Sequence, residues 1–268
     1  MKIGISTYAL LWEFTSPDQE PLNEPLSLKE MLGKAKELGG EVFQICDYEP
    51  LESMSENEIA LIARLAKELD MEIELGTRGV EPDHLLKYLK LAQSFDTTVV
   101  RTMINSKRSK PSINQAIEWI QNVLPDYKEA NVSLSLENYE QVKVKDLVYV
   151  VKQINDRNVG ICLDPPNTIM EGQKEVIQEL APYVNNLHVK DFTMSRRNQW
   201  VGFSVVGCPL GEGYLELDYM LNHLKNENKT PNAIIELWLP FQDTLENTRK
   251  MEDEWIKKSI DHLRRKIS

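Results

Sequence analysis

The sequence predicts an α/β protein built as a single parallel (β/α)8 TIM barrel spanning 1–268, on three observations. Eight strand-like runs alternate with longer amphipathic stretches from end to end. The units recur at about 25 to 45 residues, matching the roughly 250 residues such a barrel takes. The GxGxxG turn that marks the rival architecture, an open doubly wound sheet, is absent after the first strand.

The elements follow in order. "KIGISTY" alternates as a strand, and "SLKEMLGKAKELG" is a helix with Ser27 as N-cap and Gly39 just past its end. "EVFQICD" precedes the helix "SENEIALIARLAKEL", capped by Ser55, and "EIELGTR" precedes "EPDHLLKYLKLAQSF". "TVVRTMI" and "INQAIEWIQNVLPDYKEA" form the fourth unit, "VSLSLEN" and "VKDLVYVVKQIN" the fifth. "VGICLDP", "NNLHVKD" and "AIIELW" are the last three strands, and a final helix runs from about Thr244 to Arg264. The segment from Thr193 to Tyr214, glycine-rich and carrying Trp200 and Phe203, is expected to be an unstructured loop over the barrel mouth, a lid. Its "GCPLGEG" is expected to be the turn-rich end of that lid rather than a phosphate cradle.

Composition narrows the function classes. At 268 residues, 41% hydrophobic and 27% charged, the chain is an ordinary globular protein with material for a large core. No stretch approaches the roughly 18 apolar residues of a membrane span. The opening "MKIGISTYAL" lacks the marks of a signal peptide, so a cytoplasmic location without membrane partners is expected. Cys46, Cys162 and Cys208 are far apart and without CxxC spacing, which argues for reduced, buried thiols. A net charge of -11 without a basic stripe argues against a nucleic-acid partner. It leaves room for a small anionic substrate, because a cleft can carry local positive charge.

In such a barrel alternate residues face the lumen, and chemistry sits at the C-terminal strand ends. Counting by twos puts Glu137 inward at the end of the fifth strand, Asp164 on the sixth, His188 and Lys190 on the seventh, and Glu236 with Trp238 on the eighth. Three carboxylates converging in one mouth repel one another unless a cation or proton lies among them. With one imidazole they make a ligand set for one divalent ion, Mn²⁺, Mg²⁺ or Co²⁺, and less specifically Zn²⁺. The competing explanation is that each acid is simply paired with a neighbouring Lys or Arg. His84, His223 and His262 fall in helical stretches, where solvated or interhelical roles are expected.

The motifs "LEN", "CLDPPN", "NLHVKD" and "IIELW" occur in the order used by the xylose isomerase-like sugar isomerase and epimerase superfamily, which the whole chain resembles. The resemblance implies a metal held by Glu137, Asp164, His188 and Glu236, with Glu137 and Glu236 also moving protons. It implies a metal-stabilised enediolate formed from a hydroxycarbonyl sugar, hence a sugar isomerase or epimerase of carbohydrate metabolism. Asn167 departs from the ketose 3-epimerase pattern, which carries histidine there. The multi-histidine cluster of the superfamily's apurinic endonucleases is also missing.

Arg78, Arg101 and Lys190 near strand ends, with Arg196 in "SRR", place cations around the mouth and suit a phosphate or carboxylate. Locally, "GTRG", "VNNLHVKDF", "GFSVVGCPLGEG" and "IIELWLP" resemble the 3-oxo-isoapionate decarboxylase branch. That branch implies the alternative of decarboxylating a 3-oxo sugar acid. A barrel that only binds sugar acids is the non-enzyme alternative. Expected site residues are thus Glu137, Glu236 and Lys190 for catalysis, and Arg78, Arg101, Asn167, Arg196 and Trp238 for a small anionic or polyhydroxylated carbohydrate. Barrels of this kind often associate, so a homodimer or homotetramer is expected.

Overall fold

The eight strand-like runs all become strands of one closed parallel barrel in the computed structural model, which describes residues 1–15, 24–197 and 201–267. Seven come first: β1 (Ile3–Ser6), β2 (Val42–Cys46), β3 (Glu72–Gly76), β4 (Val99–Thr102), β5 (Ser133–Glu137), β6 (Val159–Leu163) and β7 (Val184–Val189). A two-stranded antiparallel hairpin, β8 (Asp191–Arg196) and β9 (Phe203–Cys208), follows before the last barrel strand, β10 (Ala233–Ile235). Around the barrel the neighbours run β1-β10-β7-β6-β5-β4-β3-β2.

The helices are α1 (Leu11–Phe14), α2 (Leu28–Glu37), α3 (Glu56–Glu68), α4 (Pro82–Phe95), α5 (Ile113–Glu129), α6 (Val144–Ile154), α7 (Gln173–Leu180), α8 (Leu217–Asn226) and α9 (Leu245–Ile267). Ser27 and Ser55 cap α2 and α3, each within a reciprocal capping box with Glu30 or Glu58. Gly39 lies beyond α2 at φ +98°, where a side chain would be strained.

Strand residues that point outward, such as Ile5, Phe43, Leu75, Leu134, Leu163 and Ile235, are fully buried against the helices. Each such side chain is worth about 1.5–3 kcal/mol in burial. The lumen is different. It holds Ser6, Gln44, Glu74, Ser135, Asn186 and His188, all buried and all hydrogen-bonded to other polar groups.

One register shift was not visible in the alternation. Between β6 and β7 the pairing steps from Ile161 with Val184 to Cys162 with Asn186, so Asn185 bulges out of the ladder. Its side chain hydrogen-bonds the Ser135 hydroxyl and occupies the space beside Gly160. A Cβ at Gly160 would come within 2.5 Å of it.

The unstructured lid expected from Thr193 to Tyr214 is corrected. Residues 193–196 and Phe203–Cys208 of that segment are paired antiparallel strands, and Ser195 and Arg196 lie within β8 rather than opening a loop. The physical cause is an alternation that pairs Met194 with Val205 and Arg196 with Phe203, masked in the sequence by glycines. Trp200 lies outside the described residues. The following "GCPLGEG" wraps around Asp191, whose carboxylate accepts the N–H groups of Phe192, Gly211, Gly213 and Leu215. Backbone donors that could have cradled a phosphate are therefore satisfied by the protein's own acid.

Candidate metal and substrate site

The C-terminal mouth opens into a cavity of about 520 Å³, whose wall includes Glu137, Glu236, Lys190, Arg78, Arg101, Asn167 and Trp238. Asp164 and His188 lie at its floor, fully buried. His188 is the centre of the cluster. Its Nδ1 stands 3.3 Å from Glu236 Oε1, 3.5 Å from Asp164 Oδ2 and 3.6 Å from Glu137 Oε1.

Those separations are long for hydrogen bonds. They approach the spacing of neighbouring donors around one ion, about 3 Å for right-angled bonds of about 2.1 Å. His188 Nδ1 and Asp164 Oδ1 are moreover buried without a hydrogen-bond partner, a costly state that a cation between them relieves. The donors thus fit a divalent ion. Two three-residue groups, Cys46 with His188 and Glu236, and Glu137 with Cys162 and His188, each bring all their donor atoms within 4.8 Å of one another. A thiol therefore lies close below the carboxylates on two sides.

Fixed cations also serve these acids, as the competing explanation required. Lys190 Nζ bridges Asp164 Oδ2 at 2.6 Å and Glu236 Oε2 at 2.8 Å, above the Trp238 ring. The Arg101 guanidinium lies against Glu137 and donates to the Thr77 carbonyl. Asn167 donates its amide to the other Glu137 oxygen at 2.6 Å. Burial disfavours the Glu137 charge, yet Arg101 and His188 hold its carboxyl well below the usual range. Glu236 is shifted the same way, with His188 and Lys190 outweighing burial. Burial raises Asp164 despite Lys190. For Lys190 burial opposes the charge, but Asp164 and Glu236 keep the ammonium protonated well above its ordinary value.

The remaining expected residues divide. Arg78 reaches the cavity while donating to Asp47 at 2.8 Å and to the Tyr8 hydroxyl. Trp238 is half-exposed at the rim. Arg196 is carried by the hairpin, 4.8 Å over the Phe203 ring, and is not among the residues lining the cavity. His84 donates to or accepts from Thr77 on the flank of the mouth rather than at its centre.

Sequence reasoning missed several cavity residues: Tyr8, Asn105, Lys107, Lys110 and Tyr139. Lys107 and Lys110 had a signal, the run "SKRSK", the densest basic segment near a strand end. Gln44 and Glu74, beneath the cluster, had one too: polar residues on the lumen side of otherwise apolar strands.

The family model for the xylose isomerase-like TIM barrel matches residues 32–266. A 3-oxo-isoapionate decarboxylase from Pectobacterium atrosepticum is 42% identical over 265 residues, 98% of this chain and 95% of that protein. Two solved structures share the fold at low identity. D-psicose 3-epimerase from Clostridium cellulolyticum H10, with D-tagatose, has a TM-score of 0.76 at 16% identity over 98% of each chain. A xylose isomerase-like barrel protein from Mycobacterium smegmatis in complex with magnesium has a TM-score of 0.71 at 18% identity over 97% of each chain.

Proposed function

Because the chain belongs to the xylose isomerase-like TIM-barrel family, we propose that it is a divalent-metal-dependent carboxy-lyase that removes carbon dioxide from a 3-oxo sugar acid. The sequence placed isomerisation or epimerisation first; the 42% identity to a decarboxylase along nearly the whole chain favours the alternative. The observation in the site that carries this reading is the fate of Glu137. One of its oxygens faces the Arg101 cation, which neutralises it, and the other accepts the Asn167 amide, whereas a two-base epimerase needs a basic carboxylate on each face of the substrate.

Charge supports the same reading. With His188 neutral, as an imidazole that binds an ion is, three carboxylates and two fixed cations leave one negative charge at the mouth, and a divalent ion reverses it to one positive charge. That balance suits a monoanionic acid. Arg78 with Lys107 and Lys110 at the rim adds attraction for a carboxylate.

Glu137, Asp164, His188 and Glu236 would hold the ion, which when bound supplies Lewis-acid polarisation of the substrate's keto oxygen. The rim cations orient the substrate carboxylate over the cavity. As the carbon–carbon bond to that carboxylate breaks, its electron pair moves toward the keto group and carbon dioxide leaves. The vacated carbon then takes a proton. Lys190 is placed to give it, as a buried ammonium within the cavity wall, and Trp238 shields that proton from bulk water. Arg101 and Asn167 keep Glu137 ionised and in position.

The test is incubation of a 3-oxo sugar acid with Mg²⁺- or Mn²⁺-loaded protein in D₂O, followed by mass spectrometry. Loss of carbon dioxide with one deuterium at the vacated carbon is expected. A product with an intact skeleton and deuterium gained at carbon would return the site to the epimerases.

A further inference from the structure

Beneath the carboxylate cluster lies a second polar layer that no part of the proposed chemistry uses. Glu74, buried in the lumen on β3, faces only N–H donors. Gln44 Nε2 donates to its Oε2 at 3.0 Å and Asn186 Nδ2 to the same oxygen at 2.8 Å, while Asn232 Nδ2 reaches Oε1 at 2.9 Å. Gln44 gives its other amide proton to Asn186 Oδ1, also at 3.0 Å. Both protons of the Gln44 amide are therefore committed away from the mouth.

The consequence reaches the site. With its nitrogen so engaged, Gln44 turns its carbonyl oxygen upward, where it lies 2.8 Å from His188 Nε2. A carbonyl oxygen has no proton to offer, so this bond exists only if Nε2 carries one. A neutral His188 then keeps its lone pair on Nδ1, the partnerless nitrogen that faces Glu137, Asp164 and Glu236. If Gln44 turned its amide over, its oxygen would meet the acceptor oxygens of Glu74 and Asn186, losing both of those bonds, and the Cys46 thiol that now donates to that oxygen would lose its acceptor.

We propose that Gln44, aimed by Glu74 from the floor of the barrel, is a positioning residue that fixes the His188 tautomer and so selects Nδ1 as the metal-binding nitrogen. The proposal rests on the reading of this cluster as a metal site. Groups that orient a metal-binding histidine through its other ring nitrogen commonly contribute 10–100-fold in metal affinity.

Zinc is a suitable probe because it is diamagnetic and accepts imidazole nitrogen. Protein labelled with ¹⁵N-histidine and loaded with Zn²⁺ is examined by long-range ¹⁵N–¹H NMR, and zinc affinity is measured by competition with a chelator. Wild type is expected to bind zinc through His188 Nδ1, with the proton on Nε2. Gln44→Met should weaken zinc binding about 10–100-fold and lose the single tautomer. Gln44→Glu, which keeps an acceptor oxygen below Nε2 and can hold a proton on its other oxygen toward Glu74, should retain the tautomer and recover much of the affinity. Glu74→Met, which removes the oxygen that Gln44 and Asn186 both donate to, should weaken binding by an intermediate factor.

Coordination through Nε2 in wild type, or unchanged tautomer and affinity in Gln44→Met, overturns the proposal while leaving the metal site intact. If Gln44→Met does not fold, an unchanged affinity in Glu74→Met has the same force, and the wild-type spectrum alone still decides which nitrogen binds. No zinc uptake by wild type removes the metal site itself, and this proposal with it.

Discussion

Two buried acidic clusters in this protein have nearly the same composition and opposite character. At the barrel mouth Glu137, Asp164 and Glu236 meet Arg101 and Lys190. Where α1 packs on α9, Glu13, Glu252 and Asp253 meet Lys34 and Arg249. In the second cluster the acids serve as structural clamps. Glu13 accepts both Lys34 at 2.6 Å and Arg249 at 3.2 Å, Asp253 accepts Lys34 at 2.7 Å, and Glu252 accepts the Trp12 backbone N–H. They join separate helices. Both clusters hold buried polar atoms without a hydrogen-bond partner, Glu252 Oε2 in the second and His188 Nδ1 at the mouth, but only at the mouth do the acids surround one imidazole nitrogen beside an open cavity. Acid content does not make a site; convergence on a shared, accessible point does.

Substitutions that treat the clusters alike should therefore separate them. Glu236→Gln removes one ligand charge and is expected to lower kcat/KM about 10³-fold with the fold retained by circular dichroism. Full activity in that variant would take Glu236 out of the mechanism. Lys190→Met should lower kcat about 10²-fold by withdrawing the proton donor and the cation between Asp164 and Glu236. A pre-steady-state measurement of carbon dioxide release then distinguishes a slowed protonation from a slowed bond cleavage.

Glu252→Gln is expected to leave kcat/KM within about twofold, and its effect to appear in stability. Burial, joined by the nearby Glu13, raises the Glu252 carboxyl well above its ordinary value although the Trp12 N–H opposes this. In the unfolded chain the group loses its proton as pH rises past about 4.5, while the native protein keeps it. The native state binds more protons in that window, so stability falls as pH rises. The variant should show a flatter decline of Tm between pH 5 and pH 9, read by thermal melts. An identical slope would assign the decline to other groups, and a large loss of turnover would erase the contrast between the clusters. The smallest effect is expected from Arg196→Ala, within about twofold in kcat/KM, since the hairpin holds that side chain over Phe203.

Much of this was readable beforehand because barrels are regular. The alternation in "VSLSLEN" and "NNLHVKD" needs only a period of two, and β5 and β7 follow it, with Glu137 and His188 inward. The capping serines Ser27 and Ser55 were readable because a cap is a contact within four residues. The hairpin escaped notice because its pairing, Arg196 with Phe203 across residues 198–200, is an interaction between two weak alternations rather than a property of either. The partners of the acids escaped for a related reason. Nothing in "TVVRTMI" says that Arg101 turns to Glu137, because that depends on the distance between β4 and β5 and on the space the lumen leaves.

By itself the sequence determined the order of strands and helices, the inward face of each strand, and the acids and histidine delivered to one end. These are short-range quantities, set by hydrophobic period and local hydrogen bonding. Only the tertiary structure decided which cation meets which carboxylate, which buried acids remain clamps, and which nitrogen of His188 faces the mouth. Those depend on separations of a few ångströms between residues as far apart as Gln44 and His188, and in a buried interior such differences change the energy of a charge more than its identity does.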